Sequence, residues 1–238
     1  MGNYWMLQDY FTAYLRIVRG LSDRSIGHYY DALNLISRFL CERHLIQETI
    51  FEVADLSRLE ELREILYKDR EFVDLNSRGH HMYSAGMNNY LRFAEADEFF
   101  GKKTELVLLD KPMPVTEMYV DEHNTWKRSA IIREQVLEAA EYRCEIDPTH
   151  KSFVVEHTNH QYAEGHHVIA LNKQDRIPYS LDIYANIICL CPVCHRLLHY
   201  GSPHEKKPVA KIIYDKRANR LAKSGIKLSQ REFENLVL

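Results

Sequence analysis

Four of the five cysteines lie between residues 144 and 194, at a spacing suited to metal binding. Cys191 and Cys194 form a Cys-x-x-Cys turn, which can present two thiolates to one tetrahedral zinc ion. A structural zinc site needs four ligands, and Cys144 supplies a third. The fourth is either His150 or Asp147, and we favour His150 because imidazole binds zinc better than a monodentate carboxylate does among thiolates. In a reducing compartment, such a cluster indicates a metal site rather than disulfides.

The histidines of the same region form a second group, His166-His167 with His195 and His199. Adjacent strand residues point to opposite faces, so His166 can bind a metal while His167 faces elsewhere. His195 and His199 are four residues apart on a predicted helix, which places both on one face. His166 and His195, with or without His199, would hold a divalent ion (Mg, Mn, Ni, Co or Zn) and leave positions open for water and phosphate. An imidazole can accept a proton near neutral pH, so His167 is the candidate general base.

Helices and short strands must position these residues. A helix over 129–142 leads to Cys144, and apolar alternation predicts strands at 152–155 and 166–171. A third apolar run covers 186–190. The helices predicted beyond it are 193–200, a basic one over 208–223, and a short one after Ser229.

The run Glu-Gly-His-His-Val-Ile at 164–169, followed by Asn-Ile-Ile-Cys-Leu-Cys-Pro-Val-Cys-His-Arg-Leu-Leu-His at 186–199, resembles the HNH or ββα-metal nucleases. It is most similar to bacterial modification-dependent restriction enzymes of the McrA type, and the resemblance covers roughly 131–228. Two departures are Ala170, where the family usually has proline, and the missing second cysteine of the first zinc knuckle.

The resemblance implies a role for each matching residue. His167 is the first H of the motif and the base that activates water. His166 and His195 are metal ligands, and Asn186 orients the base and its loop. His199 corresponds to an additional ligand found in some branches.

The N-terminal half has apolar residues at three- and four-residue spacing, which predicts a bundle of amphipathic helices. Helix starts are expected at Ser22 and at Asp55 or Ser57, and a further helix over 82–93. Segments at 11–15, 22–33 and 84–93 weakly resemble the helical DNA-binding domain, the core-binding domain, of tyrosine recombinases. A plain helical bundle or a dimerisation unit is the alternative.

Net charge is −3 with a pI near 6.5, which argues against a protein that coats nucleic acid over its whole surface. The segment 206–231 is nevertheless strongly basic. The residues expected to contact a DNA backbone are Arg196, Lys216, Arg217 and Arg220. No long apolar run or secretory signal is visible, so we expect a cytoplasmic bacterial protein without a membrane partner.

The sequence therefore predicts an α+β protein with three parts: a helical DNA-binding or targeting domain (1–100), a proline-bearing linker (101–128) and a zinc-stapled ββα-metal nuclease domain with a basic tail (129–238). The expected activity is metal-dependent cleavage of double-stranded DNA in restriction, with a homodimer cutting both strands. The alternatives are a homing or recombination-linked nuclease, and a non-catalytic zinc-stabilised DNA-binding module.

Overall fold

The computed structural model describes residues 5–101, 108–115, 128–156 and 158–238. They divide into two compact units, Trp5–Phe99 and one within Phe100–Leu238. Helices predominate, and two short strands pair as a sheet in the second unit. The predicted α+β class is confirmed at this level. Within the described part of the chain, no helix is both long and apolar enough to cross a lipid bilayer.

The first unit is helical, and side-chain caps mark where its helices begin. Ser22 accepts a hydrogen bond from the backbone N–H of Ser25, and Asp55 accepts one from that of Arg58. The elements in chain order are α1 (Met6–Ala13), a π-helical turn (Tyr14–Val18), α2 (Asp23–Glu42), a 3-10 turn (Ile50–Glu52), α3 (Leu56–Lys68), α4 (Arg70–Arg78) and α5 (Met82–Ala94).

The core of this unit lies where α2 packs on α5. A side chain at Gly86 would meet the Cβ of Ala32 at 2.8 Å, so glycine permits the close approach of the two helices. Beside this contact, the buried ring of Phe11 packs edge-on against Tyr90 and tilted against Phe93, with centroids 5.2 and 5.5 Å apart.

The second unit is built around the antiparallel pair β1 (Glu164–His167) and β2 (Ile187–Leu190), in which His166 lies opposite Ile188. All four residues of β2 are buried. The α-helices among the described residues of this unit are α6 (Ala130–Ala139), α7 (Pro192–Tyr200), α8 (Pro203–Lys223) and α9 (Gln230–Val237). The elements β1, β2 and α7, in this order along the chain, position the candidate site.

Several sequence-based bounds need correction. The predicted strand at 152–155 is reduced to an isolated bridge between Val154 and Gln161, and β1 ends at His167. Helix α8 starts at Pro203 instead of Pro208, because Ser202 and Glu205 form a capping box. Pro208 is accommodated near the start of this helix.

Residues 108–115 of the predicted linker pack within the second unit. Leu108 and Met113 are buried, and the Met113 carbonyl accepts a hydrogen bond from the backbone N–H of Ser180. Pro114 forms an isolated bridge with Tyr179. Residues 108–115 are therefore part of this unit's packing. The remainder, at 102–107 and 116–127, lies outside the described residues.

Candidate metal centres and catalytic histidines

The three cysteines predicted to bind zinc meet at the junction of β2 and α7. Cys191 is the N-cap of α7 and Cys194 lies in its first turn, while Cys144 follows α6. All three are buried, and with His150 they offer ligand atoms that lie within 4.8 Å of one another. A Cys3His set of this kind can bind a metal such as zinc.

The fourth position of this cluster is filled by His150. Its Nδ1 lies 3.4 Å from the sulfur of Cys194 and 3.7 Å from that of Cys191. Asp147 lies outside, with a carboxylate oxygen 3.7 Å from His150 Nε2. Asp147 therefore contacts the far side of the imidazole, where a carboxylate orients a metal-binding histidine.

The backbone around Cys144 is arranged to accommodate a thiolate. Burial opposes its ionisation, but hydrogen bonds from the backbone of Cys191, Asp147 and Ile146, with the His150 side chain, lower the pKa of the Cys144 thiol to about 7. Burial and the neighbouring thiols raise the pKa of Cys194. Three adjacent thiolates need a cation to ionise together, and zinc has the charge and the ligand preference to meet that need.

A second cluster is formed by His166 of β1 with His195 and His199 of α7, one helical turn apart. One nitrogen from each ring lies within 4.8 Å of the other two, and the Nε2 atoms of His195 and His199 are 3.3 Å apart. The rings meet edge to face, with centroids 4.7–5.1 Å apart. Burial, then the neighbouring histidines, lowers the pKa of His166 to about 3, so its imidazole stays neutral and able to donate a lone pair.

Glu164 is a member of this site that the sequence analysis did not single out. Its Oε2 lies 2.5 Å from Nδ1 of His195, on the side of the ring opposite the cluster-facing Nε2. Both side chains are largely buried. A carboxylate at this position favours the ring orientation in which Nε2 faces the cluster. Its place two residues before His166, on the same face of β1, was the signal available in the sequence.

The adjacent histidine, His167, belongs to a different group of contacts. Its Nε2 lies 2.7 Å from Oδ1 of Asp182, and both side chains are nearly buried. The other carboxylate oxygen of Asp182 accepts the backbone N–H of Ser129 at 2.8 Å, at the start of α6. The expectation that His166 and His167 have separate environments is confirmed. Asp182 was not predicted, because its partner is fifteen residues away along the chain.

Asn186 is fully buried and joins the segment that follows His167 to the loop that carries Asp182. Its side-chain oxygen accepts the N–H of Ile169, and its amide nitrogen donates to the carbonyls of Ile169 and Leu181. The backbone carbonyl of Asn186 accepts the N–H of Val168. These four bonds, all 2.8–2.9 Å, fix the backbone on either side of the His167–Asp182 contact.

Two of the four residues predicted to contact DNA are engaged inside the protein. Arg217 is buried and its guanidinium lies 2.6 Å from Glu145, while Arg220 forms a two-point ion pair with Asp110. Neither guanidinium is available to a phosphate backbone, so that prediction is wrong for both. Arg196 and Lys216 are exposed.

Comparisons with known proteins match no family model, no curated protein and no solved structure.

Proposed function

We propose that this protein is a metal-dependent DNA endonuclease, with its reaction centre at His166, His195, His199 and His167. The observation that carries the proposal is the convergence of three imidazoles on one point, beside a fourth that is held separately by a carboxylate. A zinc-folded binding module needs the Cys3His cluster alone and gives no reason for the second cluster.

The residues divide the work as phosphodiester hydrolysis requires. His166, His195 and His199 would hold a divalent ion, which supplies positive charge to the phosphate oxygens when bound. Three nitrogen ligands favour zinc, nickel or cobalt, whereas magnesium prefers oxygen ligands. Glu164 holds the orientation of His195, and Asn186 holds the loops around the base.

His167 acts as the base through the nitrogen that does not face Asp182. With Nε2 carrying the proton and bonded to the carboxylate, Nδ1 has the lone pair that takes a proton from water. The water oxygen forms a bond to phosphorus, and the bond from phosphorus to the 3′ oxygen breaks. The departing oxygen gains a proton from solvent, which leaves 5′-phosphate and 3′-hydroxyl ends.

The test is plasmid cleavage by zinc-loaded protein, with magnesium, manganese, cobalt or nickel added in turn. We expect metal-dependent nicking or cutting that His167→Ala and His199→Ala abolish. His204→Ala is the matched control, since this exposed histidine lies outside both clusters. Metal analysis should give two equivalents of metal in the wild type and one in the His199 variant. Absence of cleavage of both plasmid and single-stranded DNA with every ion, in protein that holds both metals, would contradict the nuclease proposal.

A methylated and an unmethylated plasmid should be compared in the same assay. The proposed role in restriction of modified DNA predicts a difference in rate between the two. Equal rates would leave a nuclease without that discrimination, as in a homing or recombination-linked role.

A further inference from the structure

A cavity of about 530 Å³ opens beside the histidine cluster. His195, His199 and Glu164 form one side of it, and the aromatic rings of Tyr142 and Tyr162 lie elsewhere in its lining. Its size is within the range of roughly 300–1,000 Å³ that is usual for small-ligand pockets. A group bound there would be next to the metal ligands.

Two stacked aromatic pairs contribute to this cavity and its rim. Tyr142 and His160 stack with ring centroids 4.3 Å apart, and Phe153 stacks on Tyr162 at 4.9 Å. The Tyr142 hydroxyl donates to Glu134 at 2.5 Å, which fixes the first pair. His160 also stacks on Phe100, with ring centroids 5.8 Å apart, so Tyr142, Phe153 and Tyr162 are the rings that offer flat surfaces of the kind on which unpaired nucleobases stack.

The second pair is held out in solvent. Phe153 is 63% exposed and Tyr162 36% exposed, on the two sides of the bridge between Val154 and Gln161. The neighbouring Val154 is 61% exposed. Adjacent exposed apolar side chains of this size are typical of contact surfaces rather than of the surface of an isolated protein.

Cations and polar groups complete the lining. Arg128 and Arg133 are both exposed and suited to phosphate oxygens. The aliphatic part of Arg133 crosses Gly165, where any Cβ would collide with it, so the glycine permits its course over β1. The side-chain oxygen of Gln161 accepts the backbone N–H of Ser152, and its NH2 group can donate to the edge of a base.

We propose that this cavity binds an unstacked DNA base adjacent to the phosphodiester that is cut, so that the preferred substrate is single-stranded DNA or DNA with an unpaired nucleotide. The proposal rests on the proposed nuclease function and names its substrate class. A base inside a regular duplex is covered on both faces by its neighbours and cannot reach such a pocket without being extruded. A single-stranded nucleotide can stack on the exposed rings while the arginines hold its phosphates.

The binding test uses oligonucleotides of one sequence, each carrying 2-aminopurine, as a single strand, as a regular duplex, and as a duplex in which the 2-aminopurine is bulged. The change in 2-aminopurine fluorescence on adding protein gives the affinity. The His167→Ala variant is used so that the strands remain intact. We expect the single strand and the bulge to bind at least tenfold more tightly than the duplex. Tyr162→Leu should remove about tenfold of that affinity and Tyr162→Phe should keep it. Tyr67→Leu is the matched control, at 39% exposure in the helical unit.

Circular dichroism and zinc content would check that the variants are folded, and Phe153→Leu provides a second removal of an exposed ring. Duplex binding as tight as single-strand binding, unchanged by either substitution, would overturn the proposal.

Cleavage of the same oligonucleotides by wild-type protein separates the two proposals. Cutting of single strand and duplex at equal rates leaves the nuclease standing and removes the base pocket. Preferential binding of the single strand that depends on Tyr162, without cleavage under any ion, would support the base pocket and refute the nuclease function.

Discussion

Replacing Asp182 by asparagine should reverse the tautomer of His167 with little change in shape. The side chain of Asp182 touches two groups, Nε2 of His167 and the backbone N–H of Ser129. The N–H of Ser129 can only donate, so the amide of Asn must place its oxygen there. Its NH2 group then faces the ring, and Nε2 must become the acceptor. The proton consequently moves to Nδ1, the atom that receives a proton from water in the proposed reaction.

The expected fall in the cleavage rate follows from the loss of His167 as general base. Positioned general bases contribute a factor of about 10² to 10⁴, or roughly 3 to 5 kcal/mol of barrier. We expect kcat for Asp182→Asn to fall by this factor, while metal content and DNA affinity stay close to those of the wild type. The start of α6 keeps its hydrogen bond from Ser129, so stability should change little.

Plasmid cleavage under single-turnover conditions measures the rate, and the ¹⁵N chemical shifts of His167 report the tautomer independently of activity. Asp175→Asn is the matched control, because this exposed carboxylate lies in the 3-10 segment Leu171–Arg176. A reversed tautomer with cleavage within threefold of the wild type would refute the assignment of His167 as the base. An unreversed tautomer would refute the reasoning on the amide orientation.

Four further substitutions test the packing and the zinc site. Asn186→Ala leaves three buried backbone groups without their partner, at about 1 kcal/mol or more each, so chemical denaturation should show a loss of at least 3 kcal/mol. Cys194→Ser should lower zinc content and Tm together, measured by metal analysis and calorimetry, and equal zinc content would exclude Cys194 as a ligand. Glu145→Ala leaves the buried guanidinium of Arg217 uncompensated and should cost about 3–5 kcal/mol, whereas a loss below 1 kcal/mol would contradict the buried pair. Asp69→Ala removes the cap of α4 and should cost about 1 kcal/mol. The backbone N–H of Phe72, and then Arg43, lower the pKa of Asp69, so this contribution is present above the unfolded carboxyl pKa of about 3.9 and is lost as pH falls through the folded value. An acid unfolding curve identical to that of the wild type would contradict it.

The local patterns of the sequence predicted the helices and the ligand-bearing turns well. Ser22 and Asp55 begin helices because their side chains serve backbone N–H groups within three residues, which is information contained in the chain itself. Helix α4 was missed because α3 and α4 are separated by Asp69 alone, which ends one helix and caps the next. The Cys-x-x-Cys turn was recognised for the same reason as the caps: its geometry is local.

Contacts between distant segments could not be predicted in this way. The basic face of α8 contained Arg217 and Arg220 beside exposed lysines, and only their partners at Glu145 and Asp110, 72 and 110 residues away, distinguish inward from outward cations. The contact between Asp182 and His167 likewise depends on how the chain folds around His167. The charge composition predicted a positively charged face on α8, but it could not tell which of its side chains point inward.

Helix α7 carries two ligands of the cysteine cluster and two of the histidine cluster within nine residues. A helix this short is marginal on its own. Cys191 and Cys194 lie at its start, so zinc bound there would stabilise the whole helix. Metal uptake should therefore be sequential, with zinc first and the second ion only afterwards. Under the proposed function, a newly made chain would remain inactive toward DNA until the first metal had been acquired, and graded chelation would remove the second ion before the first.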